Sequence, residues 1–162
     1  MKKKLNIVDE ISIDMMDEEC KDAFILKQIK SVKDINMKGN ADSRTLLNHA
    51  VLYERHKIVR DLLKKGADVS IADDTGDTPL HSAVGVRDYN LVKQLISHGA
   101  PVNVQNIYGN TPLIDACQLD LKIIKLLLEH GADPTIKNLA GVDAFTCFEA
   151  YPEILALFKE PW

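Results

Sequence analysis

Apolar side chains recur along this chain with the period of a helix. Ile58, Val59, Leu62 and Leu63 stand at i, i+1, i+4 and i+5, and so do Leu91, Val92, Leu95 and Ile96, then Ile123, Ile124, Leu127 and Leu128. That spacing puts four side chains on one stripe of an α-helix and leaves the other face polar. Each predicted helix ends in Gly-Ala, at Gly66-Ala67, Gly99-Ala100 and Gly131-Ala132. Glycine there takes the left-handed conformation that ends a helix at little cost. Upstream of each helix lies a second signal, Thr45-Leu46-Leu47-Asn48-His49-Ala50, Thr78-Pro79-Leu80-His81-Ser82-Ala83 and Thr111-Pro112-Leu113-Ile114-Asp115-Ala116, with 33 residues between copies. Thr is a helix N-cap, and Pro at the first helical position has no amide hydrogen to leave unsatisfied. Each copy therefore predicts a short helix, a turn and a longer amphipathic helix. The connections Asp73-Asp74-Thr75-Gly76 and Asn106-Ile107-Tyr108-Gly109 predict a β-hairpin-like finger closed by a glycine turn.

One such unit cannot bury its apolar stripe alone, so consecutive copies are expected to stack into a solenoid. These residues resemble the ankyrin repeat family. The second copy matches nearly throughout, with Thr78, Pro79, Leu80, His81 and Gly99 as the repeat motif. The first and third match through Thr45 and Gly66, then Thr111, Pro112 and Gly131, with Leu46 where the family has Pro and Asn48 and Ile114 where it has His. The third copy is one residue short around Gln118 to Asp120, which should tighten or distort its inter-helix turn.

The resemblance implies an all-α ankyrin repeat solenoid of about three full repeats with degenerate capping repeats at both ends. Expected boundaries are 22–40 for an N-terminal half repeat, 41–73, 74–106 and 107–138 for the full repeats, and 139–162 for the C-terminal cap. Ile25, Leu26 and Ile29 predict an outer helix in the first cap, and Ile154, Leu155 and Phe158 one in the last. Residues 1–21 are expected to form an arm or a short extra helix.

Composition narrows the function. Apolar residues at 46% and charged residues at 27% suit a globular stack rather than a disordered chain. A net charge of −4, from 20 Lys+Arg against 24 Asp+Glu, lacks the basic excess that phosphate neutralisation requires, so no nucleic-acid partner is expected. Gln94 to Ile114 carries no charged residue, but Gly99, Pro101, Gly109 and Pro112 break it, so no membrane span is expected. Lys2-Lys3-Lys4 is followed too soon by Asp9, Glu10 and Asp14 for a secretion leader, which points to a cytoplasmic protein, monomeric by itself. Cys20, Cys117 and Cys147 are odd in number and lie far apart, so three reduced thiols are expected, with no disulfide and no zinc site.

No glycine-rich phosphate loop, GxSxG or HExxH is present. The chain is therefore expected not to be an enzyme and to need no cofactor and no metal. His81 lies inside the repeat motif, where the resemblance implies a hydrogen bond between neighbouring repeats. His98 and His130 precede the helix-ending glycines, a position that suits a cation or a cap. The acids Asp73, Asp74 and Asp77 read as a solvated turn face, or as a contact for a basic partner. Arg55, Lys57, Arg60, Lys64 and Lys65, interleaved with Glu54 and Asp61, read as a solvated convex face.

The resemblance also implies where a partner would bind: the finger tips and the exposed side of the first helix of each pair. At the tips stand Ala41, Asp42 and Arg44, then Asp74, Thr75 and Asp77, then Ile107, Tyr108 and Asn110, then Leu139, Ala140 and Val142. Along the inner helices stand Leu52, Tyr53, Gly85, Val86, Gln118, Leu119 and Tyr151, with Ala72 and Gln105 bordering the fingers. Ile107, Tyr108, Leu119 and Leu139 are large and apolar, as an interaction patch requires, unless Ile107 and Leu139 pack against neighbouring fingers. The expected function is a protein–protein interaction module, with Asp74 and Asp77 facing a basic region of the partner. The alternative is a dedicated cytoplasmic inhibitor, such as an immunity protein that neutralises a toxin or enzyme by direct binding.

Overall fold

The computed structural model describes residues 6–17, 19–116, 121–149 and 152–158. The described helices follow one another in pairs: α1 (Ile7–Met16) and α2 (Asp22–Ile29), α3 (Leu46–Leu52) and α4 (His56–Lys64), α5 (Pro79–Gly85) and α6 (Tyr89–Ser97), α7 (Pro112–Asp115) and α8 (Leu121–Glu129), α9 (Ala144–Cys147) and α10 (Pro152–Leu157). Inner helices stack in sequence, α1 on α3, α3 on α5, α5 on α7 and α7 on α9, while α2 packs on α4 and α6 on α8. All four residues of each predicted stripe are buried, from Ile58, Val59, Leu62 and Leu63 through to Ile123, Ile124, Leu127 and Leu128. Ala50, Ala83 and Ala116 are fully buried on the inner helices, where a small side chain lets helices approach closely.

The helix ends follow the sequence. Gly66, Gly99 and Gly131 take positive φ, and the residue after each donates its amide back into the helix, as Ala67 does to Leu62 at 3.0 Å. His98 and His130 each cap their helix through Nδ1, on the carbonyls of Gln94 and Leu126, both at 2.8 Å.

The fingers are turns rather than strands. Each closes with two backbone hydrogen bonds, Asp73 to Asp77 at 3.0 Å and Gly76 to Asp73 at 3.2 Å, Asn106 to Asn110 at 3.0 Å and Gly109 to Asn106 at 2.8 Å, Asn138 to Val142 at 2.8 Å and Gly141 to Asn138 at 2.9 Å. An isolated bridge pairs Lys38 with Thr45, and the described residues contain no strand. Gly109 sits where the third finger meets the fourth. Its φ is +76°, and a Cβ built on it would lie 2.7 Å from the Leu139 amide nitrogen. No described helix is long and apolar enough to cross a membrane.

Three expectations need correction. Arg55 is not a solvated convex residue. Its guanidinium donates to the carbonyl of Met15 at 3.1 Å and to those of Cys20 and Asp17, and pairs with Asp22 at 3.7 Å. It thus ties the first full repeat to the turn between α1 and α2, a role invisible in a local charge run. Asp73 is not on a solvated face, because its side chain is fully buried at the root of the second finger. Cys147 is disulfide-bonded, so the three thiols are not all reduced. Cys20 is free, and Cys117 lies outside the described residues.

Candidate partner-binding surface

The site is built on the caps of the inner helices. In α5, the Thr78 amide donates to Nδ1 of His81 at 3.2 Å. A nitrogen that accepts carries no proton, so Nε2 carries it and donates to the Asn110 carbonyl in the next finger, at 3.2 Å. The same position in α3 is Asn48, whose Nδ2 donates to the Ile71 carbonyl at 3.2 Å. In α1 it is Asp9. The amides of Asn6, Asn40 and Ala41 donate to its carboxylate at 2.7, 3.1 and 3.1 Å. Burial alone would raise the Asp9 pKa, but these three amides outweigh it and hold the group below the usual carboxylate value. Asn6 and Asp9 form a capping box at the head of α1. Sequence reading missed both, because Asn6 precedes Thr45 by 39 residues, out of step with the 33-residue period. The signal available was the Asn-x-x-Asp spacing ahead of the apolar positions Val8, Ile11 and Met15.

Between fingers runs a periodic polar ladder. Arg44 pairs with Asp73 at 2.9 Å, Asn106 donates to Asp77 at 2.9 Å, and Asn138 donates to Asn110 at 2.8 Å. Arg44, Asp77 and Asn110, expected at the binding surface, are thus half-buried ties to the next repeat. Asp73 also accepts from the amides of Thr75 and Asp77 and from the Thr75 hydroxyl. Burial opposes its ionisation, but these bonds and Arg44 lower its pKa. Gln105 is exposed, yet its amide nitrogen is engaged by the Gly109 and Lys137 carbonyls. Backbone bonds complete the ladder, Ile107 to Thr75 and Leu139 to Tyr108, each at 3.0 Å.

Beyond the ladder the tips are bare. Leu139 is 81% exposed, Tyr108 61% and Ile107 54%. Their backbones pack between fingers and their side chains do not, which removes the reading that Ile107 and Leu139 are packed against neighbours. Asp74, Gly85 and Ala140 are also exposed, while Tyr53, Thr75 and Val86 are half-buried. Leu119, Gln118 and Tyr151, and the shortened turn of the third copy, lie outside the described residues. At the other end of the stack, Ile13 and Met16 on α1 are more than half exposed.

Asp77, His81 and Asp115 offer ligand atoms within 4.8 Å of one another. The set fits a cation poorly. Both His81 nitrogens are engaged, and one oxygen each of Asp77 and Asp115 accepts from Asn106 and Asn110. Burial also raises the Asp115 pKa, against the opposing effect of His81. The cluster is a node of the ladder.

Stacked helix pairs, projecting turns and cross-repeat bonds from the caps of α1, α3 and α5 define a repeat solenoid with an open finger side. A family model described as ankyrin repeats (3 copies) matches residues 47–138, and the chain belongs to the ankyrin repeat family. No curated protein matches the chain. Ankyrin repeats are in general modules for protein–protein interaction, typically without enzymatic activity.

Proposed function

We propose that this protein binds another protein through its finger tips and the inner-helix side of the stack, with Tyr108 as an anchor. The supporting observation is the run of exposed Ile107, Tyr108 and Leu139 on two consecutive tips whose backbones are hydrogen-bonded together. Tips fixed in this way lose little further entropy on binding, and large apolar side chains on a rigid base are favourable contacts. Asp74, exposed on the adjoining finger, steers a basic region of the partner toward them. The function needs no cofactor. A cytoplasmic inhibitor would use the same surface, with occlusion of its target as the whole effect.

Affinity capture from the native cell tests the reading. Wild type and Tyr108→Ala, matched for folding by circular dichroism, are compared by mass spectrometry of bound proteins. A protein retained by wild type and lost by Tyr108→Ala supports the proposal. Equal capture by both moves the site elsewhere.

A further inference from the structure

We propose that the hollow between α1 and the first finger receives the guanidinium of an arginine side chain on a partner protein. This rests on the protein-binding reading above and names what one part of that side holds. The hollow measures about 150 Å³ and is lined chiefly by Ile13 and Met16 of α1, Asp42 of the finger, His49 of α3 and Tyr53 at its end.

His49 is the reason to expect a guest. Its side chain is only 6% exposed, and neither ring nitrogen has a hydrogen-bond partner among the described residues. Buried polar groups are nearly always satisfied, so an orphan lining a hollow marks a place for one. The closest acid is Asp42, whose Oδ1 lies 3.5 Å from Nε2. Burial, together with Arg44 and against the pull of Asp42 and Asp9, holds the imidazole pKa below its ordinary value. The ring is then neutral near pH 7 and presents a lone pair to a donor.

Charge selects a cation. Asp9 and Asp42 both line the hollow, and the neighbouring guanidinium, Arg44, is shared between Asp42 at 3.2 Å and the buried Asp73 at 2.9 Å. Glu10 on α1, Asp17 just after it and Glu54 next to Tyr53 are exposed. Arg55, next to Glu54, is turned away onto backbone carbonyls. Shape selects among cations. Ile13 and Met16 supply an apolar wall for an alkyl stem. Tyr53 and His49 stack with ring centroids 6.1 Å apart and planes 11° from parallel, an aromatic face for a planar cation. A guanidinium carries its donors in one plane and can reach the Asp42 carboxylate and the His49 lone pair together, whereas an ammonium is a compact, strongly hydrated charge.

The test is an NMR titration of the intact protein, read at the His49 ring and the Ile13 methyls, with n-propylguanidinium as probe and n-propylurea and n-butylammonium as comparators. The guanidinium should give a saturable shift at both, the urea none, and the ammonium weaker binding. Asp42→Asn keeps an acceptor for the Arg44 amide but removes the charge, and should weaken the guanidinium roughly tenfold or more. Met16→Lys, at an exposed position, adds a cation at the mouth and should weaken it likewise even if Asp42→Asn perturbs the finger. An unmoved His49, an equal response to the urea or indifference to both variants overturns the proposal, and equal ammonium binding overturns the arginine assignment. The probe needs no partner protein. A positive titration beside unchanged capture by Tyr108→Ala would sink the anchor reading alone, and a silent hollow beside lost capture would sink this one alone.

Discussion

The two ends of the stack meet the same demand with different chemistry. Each terminal pair must tie itself to one neighbour only. At the N-terminal end α1 does so with an ionised carboxylate, Asp9, which gathers amides from its own cap and from the next finger. At the C-terminal end the pair is held together by apolar packing of its own side chains. Cys147 is disulfide-bonded, Phe148 is fully buried, and Phe158 packs edge-on against Phe145 and Phe148 with ring centroids 5.0 and 5.7 Å away. The cap position of an inner helix therefore fixes a geometry, not a residue. His81 donates across to a carbonyl where Asp9 accepts from amides. Both ends respond to acid through a depressed cap carboxylate, Asp9 at α1 and Asp143 at α9, and the N-terminal end adds the buried His49.

Removing each tie separately is the sharpest way to break that contrast. Cys147→Ser, or added reductant, should cost about 2–4 kcal/mol in urea unfolding and raise hydrogen exchange in α9. Asp9→Ala should cost about 2 kcal/mol, less than three lost bonds suggest because the amides of Asn40 and Ala41 can reach water, and should raise exchange in α1 only. Gly109→Ala should cost about 1–2 kcal/mol, through positive φ and the approach to Leu139, and lies at neither end. It should loosen the third and fourth fingers together.

Mild acid, through His49, separates the ends without mutation. Asp9 and His49 both have folded pKa values below their unfolded ones, near 3.8 and 6.5. Each contributes stability that is present above its unfolded pKa and lost as pH falls through its folded pKa. Thermal stability should begin to fall below about pH 6.5 through His49, with exchange in α3 rising first, and again below about pH 4 as Asp9, Asp73 and Asp143 protonate along the whole stack. A reductant should not alter that profile. The smallest expected effect is Tyr108→Ala, within about 0.5 kcal/mol of wild type by thermal melt, since the ring buries little in the folded chain.

The stripes, the helix caps and the glycine ends could be read directly, because helical period and cap chemistry are local. Thr78, Pro79 and His81 announce a helix start from four residues, and Ile58 to Leu63 announce a buried face from six. The candidate site was legible in outline. Tyr108, Ile107 and Leu139 stand on tips as expected, while Arg44, Asp77 and Asn110 proved to be ties between repeats. Whether a polar residue at a finger faces solvent or the next finger depends on the residue one period later, and no local window contains both.

By itself the sequence determined the class of protein: a repeat of 33 residues with one apolar stripe per copy can only be satisfied by stacking. Only the tertiary structure decided that Asp73 is buried on Arg44, that Asp9 does at α1 what His81 does at α5, and that His49 lines a hollow with Asp42 at 3.5 Å as its nearest acid. Those outcomes depend on which atoms of adjacent repeats come within about 3 Å of each other, and hydrogen bonds and ion pairs weaken steeply beyond that reach.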